Sequence, residues 1–170
     1  MKLVAMFGLV LGLSLGTPDA AARETIVTEG IIDAPVDAVW NAWTTADGLE
    51  TWLAPNVDID LRIDGLMRVN YDPGQVLGGP STIENRIMAY ELERMLSIRV
   101  TRAPDGFPFI GRIGEMWTVL YFQPTADGRT SLRVVGMGFG SDAESQQMKA
   151  FFIQGNAATL VLLQKRFARR

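Results

Sequence analysis

The chain has 170 residues, a formal net charge of −3, 48% hydrophobic residues, and neither Cys nor His. The missing thiols and imidazoles remove disulfides, thiolate nucleophiles, histidine bases and the usual zinc ligands. The weak negative balance offers no electrostatic footprint for nucleic acid.

Residues 1–22 carry Lys2, an apolar run from Leu3 to Leu15 and the small-residue stretch Ala20-Ala21-Ala22, the composition of a signal peptide cut after Ala22. A membrane anchor is the competing reading, but roughly 13 apolar residues fall short of the ~20 needed to cross a bilayer. The expectation is therefore a periplasmic or secreted protein with no membrane span after cleavage. Residues 23–170 would form a single domain, long enough to bury roughly 70% of the surface its unfolded chain exposes.

Thr25 to Ile32, rich in Ile, Val and Thr, predicts a first strand. Val36, Val39, Trp40 and Trp43 then recur at i, i+3, i+4 and i+7, which predicts a helix with Asp33 as its cap and Pro35 near its first position. Leu49, Trp52 and Leu53 form a second short helical segment ended by Pro55. Six more strands follow at about 57–62, 67–71, 82–90, 95–102, 115–123 and 130–138, joined as a meander.

The links at Asp64-Gly65, residues 91–94 and 126–128 are short and polar, as tight hairpins prefer. Those at 72–81 and 103–114 are long, rich in Gly and Pro, and carry Val76, Leu77, Phe107, Phe109 and Ile110. Strand direction alternates in a meander, so both long loops share one end of the sheet with the approach to the last element. Structureless loops of this length are usually functional, and the expectation is a mouth gated by apolar loops. From Ser141 a helix of up to ~28 residues, roughly 42 Å long, completes the chain. Ser141 and Glu144 suit a capping box, and Gly155 in its middle suggests a bend or a close approach.

The segments Pro35 to Trp40, Trp43-Thr44, Leu49 to Pro55, Asp60 to Ile63, Met95-Leu96 and Phe151 to Leu163 resemble the SRPBCC superfamily, with its START or Bet v 1-like helix-grip fold. Within it they are most similar to the branch named after the heat-shock-protein ATPase activator. The resemblance implies an α+β helix-grip: a seven-stranded curved antiparallel sheet, two short helices after strand one, and a long C-terminal helix enclosing a cavity. Two departures stand out. Asp64-Gly65 replaces a paired glycine, and Gly155-Asn156 replaces a Gly-Trp, leaving a smaller and more polar spot facing the cavity.

This scaffold hosts carriers, cyclases, dehydratases and chaperone partners, so the fold alone selects none of them. A carrier would hold a small hydrophobic or amphipathic molecule between sheet and helix and would need no cofactor and no metal. Its candidate ligand-binding residues are Trp43, Trp52, Tyr71, Asn85, Phe107, Phe109, Trp117, Phe151, Phe152 and Gly155, against the plain alternative that the tryptophans only fill the core. A cyclase- or dehydratase-like enzyme would use Glu115 as a general base, or Asn85 or a Tyr. A chaperone ATPase partner conflicts with the signal peptide, because that ATPase is cytosolic.

Glu84, Arg86 and Arg99 fall on the outer face if Arg86 pairs with Arg99. Ile83, Ile87, Ala89, Leu96, Ile98 and Val100 then share the inner face with Asn85. The strand Met116 to Phe122 is apolar on both sides; one side is cavity or core, and the other is a candidate homodimer surface.

Overall fold

β1 (Glu24–Ile32) opens the domain as a nine-residue strand in which Ile26 and Ile32 are buried while Val27 and Ile31 face outward. The computed structural model describes residues 23–168, so the segment read as a signal peptide lies outside the described residues. Pro35 is the N-cap of α1 (Val36–Thr44), with extended backbone and no side-chain cap. Asp33 thus lies two residues ahead of the capping position expected for it. The 3.6-residue period predicted for this helix is present: Val39, Trp40 and Trp43 are all buried. Thr45 separates α1 from α2 (Ala46–Glu50), its hydroxyl oxygen accepting from the Gly48 N–H at 3.0 Å.

The sheet continues through β2 (Asn56–Ile59), β3 (Leu66–Asn70), β4 (Ile83–Glu91), β5 (Met95–Arg102), β6 (Trp117–Pro124) and β7 (Thr130–Phe139). Its order is β1-β7-β6-β5-β4-β3-β2, antiparallel throughout. The expected second strand stops early. Asp60 to Gly65 folds into turns, with Arg62 N–H on the Asp60 carbonyl and Asp64 at φ 63°. Arg86 does pair with Arg99, but a bulge between Ile87 and Ala89 shifts the register. Ala89 faces Ser97 on the outer side, and Tyr90 takes its place opposite Leu96. A bulge inserts one residue into the two-residue alternation, so every side chain beyond it changes face.

α3 (Ala143–Phe167) lies across the concave face and packs against β1 and β7. Its cap is Asp142, which accepts from the Ser145 N–H at 3.0 Å; the Ser141/Glu144 capping box does not form. Of its 25 residues only Ser145, Met148 and Leu163 are buried. The helix is held at its ends and along one edge. Lys149 pairs with Glu24, Gln164 donates to the Ile31 carbonyl at 3.1 Å, and Arg166 donates to Thr51 at 3.0 Å.

Two apolar clusters set this posture. Trp40, Leu49, Leu96, Phe122, Leu132 and Leu163 fill the hairpin end. Ile26, Phe109, Ile113, Met116, Phe139 and Met148 fill the loop end. Each large side chain buried there contributes about 1.5–3 kcal/mol, while the middle of α3 bridges the space between.

At Gly155, α3 runs on unbroken, and a Cβ added there meets nothing within 4 Å. The close approach is not present. Gly155→Ala should therefore gain up to about 1 kcal/mol through helix propensity, read as a rise in Tm of about 2–4 °C. A fall in Tm would mean that the site needs the glycine.

Candidate functional site

Between the two clusters the sheet and α3 border a half-open hollow of two adjoining lobes. The inner lobe, about 180 Å³, is walled by Trp43, Met67, Asn85, Ile98, Thr118, Leu132 and Val134. The outer lobe, about 340 Å³, reaches the mouth at Ala103, Pro104, Phe107, Ile113, Phe151 and Gly155. Tyr71, Ile83, Val100, Phe152, Asn156 and Thr159 belong to both. Among the described residues, no Asp, Glu, Lys or Arg lines either lobe. A wider depression of about 700 Å³ near the β4–β5 turn is walled by Glu91, Glu93, Arg94 and Arg133. Its lining carries these four charged side chains where the two lobes carry none, and predominantly apolar walls are what favour a small-molecule site.

Sheet alternation supplies the floor. Met67, Val69 and Tyr71 on β3 and the residue after it, Ile83 and Asn85 on β4, Ile98 and Val100 on β5, and Thr118 and Leu120 on β6 share the concave side. Phe152, Asn156, Thr159 and Leu160 recur at helical spacing and form the roof. The face of β6 left undecided by its sequence is thereby settled: Met116, Thr118 and Leu120 line the cavity. Trp117 is 38% exposed on the convex side, the face it shares with Tyr121, and lines neither lobe.

Trp43, Tyr71, Asn85, Phe107, Phe151, Phe152 and Gly155 are brought together around the hollow. Trp52 and Phe109 stand one layer back. Trp52 packs edge-on against Trp43 at 4.8 Å and donates its indole N–H to the Ala42 carbonyl at 3.0 Å. Phe109 supports Phe107 at 5.6 Å and Phe151 at 5.8 Å. The indole N–H of Trp43 is buried without an acceptor, an uncompensated cost in the wall of the inner lobe. Ile83 and Val100, expected on the inner face, line both lobes; Thr118 and Thr159 were not among the candidates, although the alternation 116, 118, 120 and the helical spacing 152, 156, 159 would have found them.

The loop at 72–81 does not gate the cavity as expected, since Val76 is 76% exposed and Leu77 lines neither lobe. This loop is tied to the other one: Arg102 donates to the Gly78 and Gly79 carbonyls at 3.0 and 3.1 Å, and Asp105 N–H to Pro80 at 2.9 Å. Tyr71, 55% exposed, is the one ionisable residue in the lining. Desolvation raises its phenol above the ordinary value of 10.0, so it is a neutral hydroxyl at physiological pH.

Glu115, the expected general base, lies outside the hollow. Arg112 and Arg23 each hold it at 3.1 Å. The hydrogen bond from Arg112 is the main cause that lowers its carboxyl below the ordinary 4.5, desolvation opposing. It is an ionised structural partner. Arg112 also reaches Asp142 and Glu144, at 3.4 and 3.5 Å, fastening the loop at 103–116 to the start of α3.

A carboxylate whose folded pKa is depressed contributes stability above its unfolded pKa and loses it as pH falls through the folded one. Acidification through the depressed pKa of Glu115, below its ordinary 4.5, should accordingly loosen this clasp. Amide-exchange protection in residues 103–116 should drop before protection in β6 and β7. Equal loss in loop and strands would contradict a local clasp.

Solved structures with this architecture are diverse. The chain superposes on a structural-genomics protein from Mesorhizobium loti with TM-score 0.64 at 20% identity, over 84% of this chain and 96% of that one. The Aha1 dimer from Colwellia psychrerythraea gives 0.67 at 14%, over 85% and 96%. Norcoclaurine synthase from Thalictrum flavum, solved in complex with dopamine and hydroxybenzaldehyde, gives 0.60 at 11%, over 95% of both chains. Likeness at such identities establishes the helix-grip fold alone. No curated protein matches. A family model does, over residues 33–168 from the end of β1 to the end of α3, and on that match the chain belongs to the family described as Activator of Hsp90 ATPase homolog 1-like protein, within the SRPBCC superfamily.

Proposed function

We propose that the mature chain is an exported binding protein that holds one small hydrophobic or amphipathic molecule between the sheet and α3. The observation that carries this reading is a cavity in the size range of small-molecule sites whose lining contains no charged side chain. Such a wall favours desolvating an apolar ligand. It leaves a cyclase- or dehydratase-like mechanism without a carboxylate base. The apolar run and small-residue stretch within residues 1–22 support export.

A homodimer through the convex face is supported by the exposed Val27, Trp117 and Tyr121. The solved Aha1 dimer from Colwellia psychrerythraea has the same fold.

Native mass spectrometry of the protein from its own cells, followed by solvent extraction, tests all three points. The expected result is a chain beginning at Arg23, twice its monomer mass, releasing an apolar molecule. A full-length precursor retained in the cytosol would overturn export, and a monomer would overturn the dimer. A protein that is empty and also takes up no apolar probe would overturn the binding role.

A further inference from the structure

The polar groups of the cavity are few and specifically placed. Asn85 stands on the β4 floor of the inner lobe, between Met67 and Val100 in register. Asn156 stands on the α3 roof where the two lobes meet. Neither carboxamide makes a side-chain hydrogen bond with any described residue, whereas Thr159 spends its hydroxyl proton on the Gly155 carbonyl at 2.9 Å. A carboxamide offers two donors and one acceptor. Both are half-buried, and a polar group that loses its remaining water under a bound ligand favours a partner brought by that ligand.

Cations are missing from the same walls, and those near the mouth are engaged. Arg102 is bonded to the Gly78 and Gly79 carbonyls and lies 3.7 Å from Glu84. Arg112 is shared among Glu115, Asp142 and Glu144. A carboxylate or phosphate drawn into this hollow would give up part of its hydration and find no counter-charge in the walls, a state that ionisable groups avoid by neutralising or by staying in water.

Taking the hollow as the ligand site, we infer that its ligand is electrically neutral and carries a carbonyl, ester, amide or hydroxyl group within its length. Asn85 and Asn156 hold that group where the lobes adjoin. A short apolar part fills the inner lobe, and a longer one runs beneath Phe151 and Phe152 toward Phe107. Free fatty acids are disfavoured unless protonated.

Displacement of a neutral fluorescent probe, N-phenyl-1-naphthylamine, by methyl decanoate, 1-decanol and decanoic acid tests this on the mature chain at pH 8 and pH 5. The ester and the alcohol should bind at least ~30-fold more tightly than the acid at pH 8, and the gap should narrow at pH 5 as the acid takes up its proton. Asn85→Leu and Asn156→Leu should each weaken the ester by ~5- to 10-fold while leaving the probe bound, which also reports that the variants are folded. Decanoate binding as tightly as its ester at pH 8 would overturn the neutral-ligand inference alone. Unchanged ester affinity in both variants would overturn the role given to the asparagines. Failure of the probe itself to bind would overturn the cavity reading on which the inference rests.

Discussion

Replacing Gly138 by valine is expected to cost about 4 kcal/mol of stability, a large share of the ~5–15 kcal/mol that holds a domain of this size together. Glu24 pairs with Phe139 and Thr25 with Met137, so Gly138 is the extra residue of a bulge between β7 and β1. Its φ of 102° lies where an L-residue is strained, and an added Cβ would stand 2.2 Å from the Glu115 carbonyl oxygen and 3.0 Å from the Met116 Cα. Those are backbone atoms that cannot rotate away. The bulge turns Phe139 inward, fully buried and 6.3 Å from Phe152, so its loss reaches from the strand to the packing under α3. Urea unfolding measures the effect. A change below 1 kcal/mol would show that the bulge is not required.

Asn156→Trp should abolish ligand binding without unfolding the protein. Asn156 faces both lobes, and an indole there would occupy the volume that apolar ligands need. Affinity for neutral apolar ligands should fall at least 100-fold, which corresponds to about 2.7 kcal/mol. Tm should hold or rise, because the ring fills a void in the native state. Retention of full affinity by a folded variant would place the ligand elsewhere.

Local signals in the sequence carried most of the architecture. The 36, 39, 40, 43 spacing is enough for α1 because one period and one buried stripe coincide. The Arg86/Arg99 pairing follows from two charges that must share the wet face. Alternating direction in a meander puts both long loops at one end of the sheet, although only the loop at 103–114 lines the cavity.

The misplacements have different physical causes. β6 is apolar on both faces, so its own residues do not say that Trp117 faces outward. Glu115 is quenched first by Arg112, its i−3 neighbour, and also by Arg23, 92 residues away; only the second pairing has no local pattern to announce it. The bulge at Met88 moved Ala89 off the inner face without a glycine or proline to mark it. The cap at Asp142 rather than Ser141 differs by one residue, the margin at which competing side-chain oxygens decide.

The central claim is that a neutral apolar molecule binds between the sheet and α3, and amide and methyl NMR during titration with 1-decanol tests it most directly. Saturable shifts should gather at Met67, Ile83, Val100, Thr118, Phe152, Asn156 and Thr159, with Val27, Trp117 and Tyr121 on the convex face unmoved. Shifts confined to that convex face, or none at all, would contradict the account.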